Sequence, residues 1–144
     1  MQRPRRFRLI FTLAKGLAYT TATQYPSRVD PSYFLAQIGT APENVAKSEA
    51  ALRDQLARVQ REPISDEELR VAKAYSLGNL EMDRRTNARQ AWYLASFEVA
   101  GVGYEFLDRY VKDVRRVTAA DVQRVAQQYL GVLRTVVVEP PAQK

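Results

Sequence analysis

The side chains that could do chemistry in this sequence are limited by two absences. Histidine and cysteine do not occur among its 144 residues. The chain therefore lacks the imidazole base, the thiolate nucleophile, disulfides and the usual ligands of a zinc site. Hydrolytic chemistry would have to use carboxylates, Lys, Tyr, Ser or Thr alone. Since a cysteine-free protein suits both reducing and oxidising compartments, the bacterial cytoplasm and periplasm are both compatible with it.

Three consecutive carboxylates, Asp66, Glu67 and Glu68, resemble a metal-binding cluster. However, Ser65 and Glu68 have the spacing of a capping box, in which each side chain bonds the backbone of the other residue. Carboxylates in the first turn of a helix also stabilise the positive end of its dipole. We therefore interpret the cluster as a helix start rather than a metal site.

Basic residues are concentrated at the start of the chain. The sequence has 22 Lys and Arg against 16 Asp and Glu, a formal net charge of +6, and residues 1–8 contain four arginines and no acid. The remaining chain is nearly neutral and lacks the basic, aromatic-rich face that nucleic acids require. We expect a flexible basic start and no nucleic-acid partner. An adaptor that meets phosphates or an acidic membrane through this start is a minor alternative.

The apolar run that follows the basic start is short. It ends after six residues at Lys15, which is too short for the apolar part of a signal peptide and for a membrane span. We therefore expect a soluble chain without a membrane span.

The next elements are predicted to form a hairpin. Residues 9–15 favour a short helix that Gly16 ends. Residues 17–24, which are rich in Thr and Tyr, and residues 33–39 are predicted as strands. The connection between them contains two prolines, so we expect an antiparallel hairpin with a long loop.

Apolar residues at helical spacing predict helices for most of the remaining chain. The expected ranges are 42–61, 66 past Leu80, 88–100, 104–117 and 119–130. Capping-box pairs mark three of the starts, at Thr40 and Glu43, Ser65 and Glu68, and Thr118 and Asp121.

Several residues on these helices are expected in the core. Trp92, Tyr93 and Phe97 are aromatic side chains of the third helix, and we expect them to fill core space. A cofactor slot is the alternative, although no polar motif accompanies them. The buried face of the last helix is expected to consist of Val125, Ala126, Tyr129 and Leu130.

Residues 134–139 are predicted as a final strand. Their three consecutive valines are apolar on both faces, which is typical of a strand inside a sheet. The predicted fold class is α+β, with helices packed on a largely antiparallel sheet. Three strands form a small sheet, so either another chain supplies partner strands or this chain is the latter part of a larger domain.

Several segments resemble the C-terminal domain of the pitrilysin/insulinase-type zinc metallopeptidases, the family that includes mitochondrial processing peptidase. The resemblance extends over residues 13–141. It rests on the Gly-Leu-Ala-Tyr sequence at residues 16–19, on residues 64–69, on residues 117–122 with the apolar pairs that follow them, and on Val136 to Val138 with Pro140. It implies the processing-peptidase-like metallohydrolase architecture, incomplete at its N-terminal side, in a single partial domain spanning residues 1–144.

The resemblance implies a non-catalytic role. In this family the inverted zinc motif His-x-x-Glu-His lies in the N-terminal domain, and the C-terminal domain forms the other wall of the substrate chamber. This chain has no histidine, so we expect no catalytic residue and no metal ligand in it, and no peptidase activity alone. The zinc is expected in a partner domain or subunit.

One substrate-binding residue follows from the resemblance. The family's C-terminal domain binds the peptide backbone with a Tyr and an Arg seven residues before it. Tyr19 matches the Tyr, but Thr12 stands at the position of the Arg, and Thr lacks the forked charged donor. Lys15 and Arg8 do not have the matching spacing. A strand tyrosine packed on a helix is the alternative for Tyr19.

The resemblance also bears on assembly. The family's domain has about sixty further residues before the Gly-Leu-Ala-Tyr segment, whereas this chain has fifteen. We expect unpaired strand edges and therefore a homo- or hetero-oligomer, with a dimer as the first expectation. The absence of the Arg favours a second function, that of a structural scaffold subunit without a proteolytic role.

Overall fold

Two strands pair near the start of the described chain. The computed structural model describes residues 18–26, 28 and 30–138. Strand β1 (Thr20–Gln24) pairs antiparallel with β2 (Leu35–Gly39), with Thr20 opposite Gly39 and Gln24 opposite Leu35. The predicted hairpin is therefore confirmed. The basic start, the helix expected at residues 9–15 and Gly16 lie outside the described residues.

The open end of the hairpin is held closely. The backbone N–H of Tyr19 donates to the carbonyl oxygen of Gly39 at 2.8 Å. A Cβ atom added to Gly39 would lie 2.7 Å from Oγ1 of Thr20. Because side chains do not tolerate so close an approach, glycine at this position lets the strand ends meet directly after Tyr19.

Five α-helices follow the hairpin, as the sequence predicts. They are α1 (Val45–Arg61), α2 (Asp66–Asp83), α3 (Asn87–Val99), α4 (Phe106–Arg116) and α5 (Ala119–Tyr129). The described residues thus form an α+β fold, in which the helices outnumber a small sheet. None of the described helices is long and apolar enough to cross a membrane.

Two of the three predicted capping boxes are present. Ser65 at α2 and Thr118 at α5 each accept from the backbone N–H three residues on, and the acid there accepts from the backbone of the cap residue. At α3, the Thr86 side chain accepts from the N–H of Arg89. These bonds satisfy backbone donors that a helix start leaves free.

The capping box predicted for Thr40 and Glu43 is wrong. One turn of 3₁₀ helix, Pro42–Asn44, precedes α1, and its N-cap is Ala41. The N-cap of α1 itself is Asn44. Neither cap makes a side-chain capping bond. Proline favours the first position of a helical turn, which moves the start one residue past Thr40. The Thr40 hydroxyl instead accepts from Oγ of Ser48 at 3.2 Å.

The helices pack mainly in pairs, α1 with α5 and α2 with α4. At the end of α1, the carbonyl oxygen of Gln60 accepts from the side-chain amides of Gln123 at 3.2 Å and Gln127 at 2.9 Å. The Gln60 amide in turn donates to the carbonyl of Leu130 at 3.1 Å. These three bonds join the last turn of α1 to α5 and satisfy carbonyls that helix ends leave free.

A lysine connects the second pair of helices. Nζ of Lys73 on α2 donates to the carbonyl oxygen of Arg115 in the last turn of α4, at 2.7 Å. A cation at this end of a helix also stabilises the negative end of its dipole. Leu107 on α4 is among the few fully buried apolar residues of the described chain.

The buried face predicted for α5 is only partly correct. Ala126 is buried, whereas Val125 and Tyr129 are exposed. In the described part of the chain α5 packs mainly against α1, which covers one narrow side of the helix. The predicted face was wider than the surface that a single neighbouring helix covers.

The strand predicted at residues 134–139 is wrong over the described residues. Residues 133–138 have no regular secondary structure, because no described strand hydrogen-bonds with them. Thr135 connects this segment to α1, since its hydroxyl accepts from Nη2 of Arg53 at 2.6 Å. Hydrogen bonds from Arg53 and Thr135 also hold the pKa of Glu49 below its usual range.

We predict that replacing Ser65 with alanine lowers the free energy of unfolding by about 1 kcal/mol, because the first turn of α2 loses its capping oxygen. Urea denaturation followed by circular dichroism measures the change. The matched control is Ser76→Ala, which removes the same atom from an exposed mid-helix position of α2, where alanine is favoured. Equal destabilisation by both variants would contradict the capping role.

Candidate substrate-binding surface

Tyr19 lies directly before β1, at the end of the hairpin that Gly39 closes. Its backbone is fixed by the bond to Gly39, while its side chain is 77% exposed. The alternative of a tyrosine packed on a helix does not describe this side chain. The phenol is therefore open to a ligand, to which it can donate and from which it can accept.

The possible partners of Tyr19 in the sequence cannot be placed beside it, because Thr12, Lys15 and Arg8 lie outside the described residues. What the described residues bring near Tyr19 along the chain is the hairpin itself. Both of its strands are uncharged, with the sequences TTATQ and LAQIG. The surface at Tyr19 thus offers a phenol beside uncharged strands.

The far end of the hairpin carries further aromatic residues. Tyr25 is 70% exposed, and Tyr33 and Phe34 are also exposed. The guanidinium of Arg28 lies over the Tyr33 ring, 5.2 Å from its centre, and the Ser32 hydroxyl donates to the carbonyl of Pro26. The sequence signal for this group is three aromatic residues within ten positions, and the functional expectations from the sequence did not include it. Exposed aromatic rings of this kind are common at binding surfaces.

The carboxylates at residues 66–68 serve the start of α2. Glu68 belongs to the capping box with Ser65, and the Glu67 carboxylate accepts two bonds from Arg70 at 2.8 and 2.6 Å. Hydrogen bonding from Arg70 lowers the pKa of Glu67. Within residues 18–26, 28 and 30–138, no group of three or more His, Cys, Asp or Glu side chains could hold a metal ion. The residues of the described chain therefore do not fit a zinc site.

An aromatic row joins α3 to α4. Trp92, Tyr93 and Phe97 continue into Phe106 and Tyr110, and neighbouring ring centres lie between 5.0 and 6.3 Å apart. The prediction that these rings fill the core is wrong for Trp92, which is 52% exposed beside the exposed Val99, and Tyr93 and Phe97 are only half-buried. Trp92, Val99 and the small residues between them line a shallow depression on α3. No described element covers this side of α3, so Trp92 stays at the surface.

A charged pair that sequence analysis missed lies at the α2–α3 junction. The Arg89 guanidinium pairs with the Asp83 carboxylate and stacks on the Trp92 ring, 4.6 Å from its centre. The Tyr93 hydroxyl donates to the same carboxylate at 2.7 Å. Bonds from Arg89 and Tyr93 lower the pKa of Asp83, and burial together with Asp83 raises that of Tyr93. The helical spacing of Arg89, Trp92 and Tyr93 was the signal in the sequence.

Comparison with known proteins identifies the class to which this fold belongs. The profile of the family described as "Peptidase M16 inactive domain" matches residues 4–75, which is half of the chain. The chain therefore belongs to the peptidase M16 family, and the matched part is its inactive, C-terminal domain. The resemblance that the sequence motifs indicate is thus confirmed. A search of curated proteins gives no match.

Two solved structures share the fold. A protease from Helicobacter pylori has a TM-score of 0.68 and 21% identity, and the match covers 86% of this chain and 30% of that one. A "putative zinc protease" from Bordetella pertussis Tohama I has a TM-score of 0.64 and 23% identity, with coverage of 85% and 69%. This chain thus spans less than a third of the Helicobacter chain. At these identities the two structures show the fold alone.

We predict that Tyr93→Phe raises the pKa of Asp83 toward the ordinary aspartate range, because the carboxylate loses one of its two donors. A lowered pKa adds stability at pH values above the ordinary range, and this stability is lost as the pH falls through the folded pKa. The variant therefore loses part of that pH-dependent stability. Carboxyl NMR titration of Asp83 checks the direction.

The control for this titration is Tyr110→Phe. Tyr110 contacts Phe106 at the other end of the aromatic row, and the described structure gives its hydroxyl no carboxylate partner. An unchanged pKa of Asp83 in Tyr93→Phe, or an equal rise in Tyr110→Phe, would contradict the assignment.

Proposed function

We propose that this chain is the non-catalytic portion of a zinc metallopeptidase, that it forms one wall of a peptide chamber, and that Tyr19 contacts the peptide backbone. The zinc-bearing site belongs to a partner domain or subunit. The observation that carries the proposal is the exposed Tyr19 phenol on a backbone that the hairpin fixes. Membership of the inactive-domain family supports a binding role for this chain and a catalytic role for the partner.

The chemistry open to this chain is binding and orientation. The Tyr19 hydroxyl can donate to a peptide carbonyl, and its ring offers apolar surface to the peptide main chain. Because the backbone of Tyr19 is already fixed, peptide binding loses less conformational entropy there. The partner activates the water and transfers the protons, since this sequence contains no imidazole.

A scaffold subunit is the second candidate function. The observation that favours it is Thr12, which stands where the resembling family has the substrate-binding Arg. A lone phenol supplies one neutral hydrogen bond, whereas an Arg adds a charged, forked donor set. Under this alternative the chain assembles with its partner, and Tyr19 has no part in peptide binding.

We predict that Tyr19→Phe raises KM for a peptide substrate about two- to tenfold in the complex with a zinc-bearing subunit of the family, which is the loss of one neutral hydrogen bond. A quenched fluorescent peptide gives the initial rates from which KM and kcat are determined. Tyr104→Phe is the matched control, because Tyr104 is similarly exposed but lies just before α4, outside the hairpin. Unchanged KM in Tyr19→Phe, with assembly intact, would support the scaffold function instead.

A further inference from the structure

Basic side chains from two helices meet at the end of α4. We call Lys73, Lys112, Arg115 and Arg116 the basic corner. Nζ of Lys73 on α2 donates to the backbone carbonyl of Arg115 at 2.7 Å, which places the lysine against the last turn of α4. Lys112 lies three and four residues before the two arginines, so these three side chains are neighbours on the helix, and all three are exposed. The end of α4 therefore presents four cations together.

The positive charge of the basic corner exceeds the negative charge that the chain can place against it. Within residues 18–26, 28 and 30–138, seven arginines form ion pairs, but none of the four side chains of the basic corner does. The rest of the sequence contains one acid, Glu139, against six Lys and Arg. Asp113 is the one acid among the last five residues of α4. Even if Asp113 and Glu139 both lay against the corner, it would keep an excess of positive charge.

The stability of α4 alone does not require this clustering. Cations in the last turn stabilise the negative end of the helix dipole, as the two arginines do here. Like charges three and four residues apart destabilise a helix by a similar amount, so Lys112 adds little net stability beside them. The last turn of α1 shows the balanced arrangement, in which Arg58 pairs with Glu62, and Arg61 pairs with Asp54. The excess charge of the basic corner is therefore complementary to an anionic partner.

The surroundings of the basic corner favour an acidic peptide over other polyanions. Lys112 and Arg116 are separated by about 6 Å along the helix axis, and alternate side chains of an extended peptide lie about 7 Å apart. Helices that bind membranes carry exposed apolar residues beside their cations, whereas Val114, between these two residues, is half-buried. Single-stranded nucleic acids stack their bases on aromatic rings, whereas the rings of α4, Phe106 and Tyr110, contact each other.

We propose that the basic corner binds an acidic segment of a partner protein, in which carboxylates on alternate residues of an extended chain pair with Lys112, Arg115 and Arg116. Each guanidinium can bind a carboxylate through two parallel hydrogen bonds. Lys73 adds positive charge beside them. Because the cations are exposed, the binding is expected to weaken as the salt concentration rises. The inference is independent of the role proposed for Tyr19 and concerns a different part of the chain.

The experiment measures the affinity of the full chain for a dye-labelled peptide of Glu-Ser repeats, by fluorescence anisotropy at low and at physiological salt. The test variant combines Arg115→Gln with Arg116→Gln, because glutamine keeps the helix propensity of arginine. We expect its Kd to rise about fivefold or more through the loss of two charged pairs. The matched control combines Arg58→Gln with Arg61→Gln, which removes the same charge from the last turn of α1. We expect a smaller rise there, and circular dichroism checks that both variants keep their helices.

Further titrations separate the basic corner from the basic start and identify the class of partner. A variant that combines Arg5→Gln with Arg6→Gln is expected to bind the peptide more tightly than the test variant does. Vesicles that contain phosphatidylserine, and oligothymidine, are expected to bind the wild-type chain more weakly than the peptide does. A wild-type chain that does not bind the peptide at low salt, an equal rise of Kd in the test variant and in either of the other two variants, or tighter binding of vesicles or oligothymidine would each overturn the proposal.

Discussion

The small number of fully buried apolar side chains is the constraint on which the rest of this structure depends. Among the described residues only Ala18, Leu56, Leu107 and Ala126 form the buried apolar core. A chain with so little burial relies more than usual on hydrogen bonds that complete helix ends, such as those at Ser65, Thr118 and Gln60.

Local features of the fold could be predicted from the sequence. The five helices and two capping boxes depend on residues within a few positions of one another, and the hairpin depends on two strand patterns joined by one loop; the structure contains all of them. The capping box at Thr40 failed for an equally local reason, since Pro42 opens the helix one residue later. Motif order further indicated the family, which the match over residues 4–75 confirms.

Features that depend on distant neighbours could not be predicted. A strand exists only with a partner, and the composition of residues 134–138 contains no information about whether an edge is available. The exposure of Trp92 depends likewise on whether another element covers α3. Of the candidate site, the sequence identified Tyr19 through family resemblance, whereas the pairing of Asp83 with Arg89 across the α2–α3 junction required coordinates.

Trp92 is the single tryptophan of the chain, and it lies half-exposed with the Arg89 guanidinium over its ring. Its intrinsic fluorescence therefore comes from one place in the molecule, without overlapping signals from other indoles. The Trp92 ring is half-exposed to solvent and carries the Arg89 cation on its face. Its emission wavelength is therefore expected to change when another protein covers α3. The protein thus contains an intrinsic fluorescent probe on α3 for following complex formation without an added label.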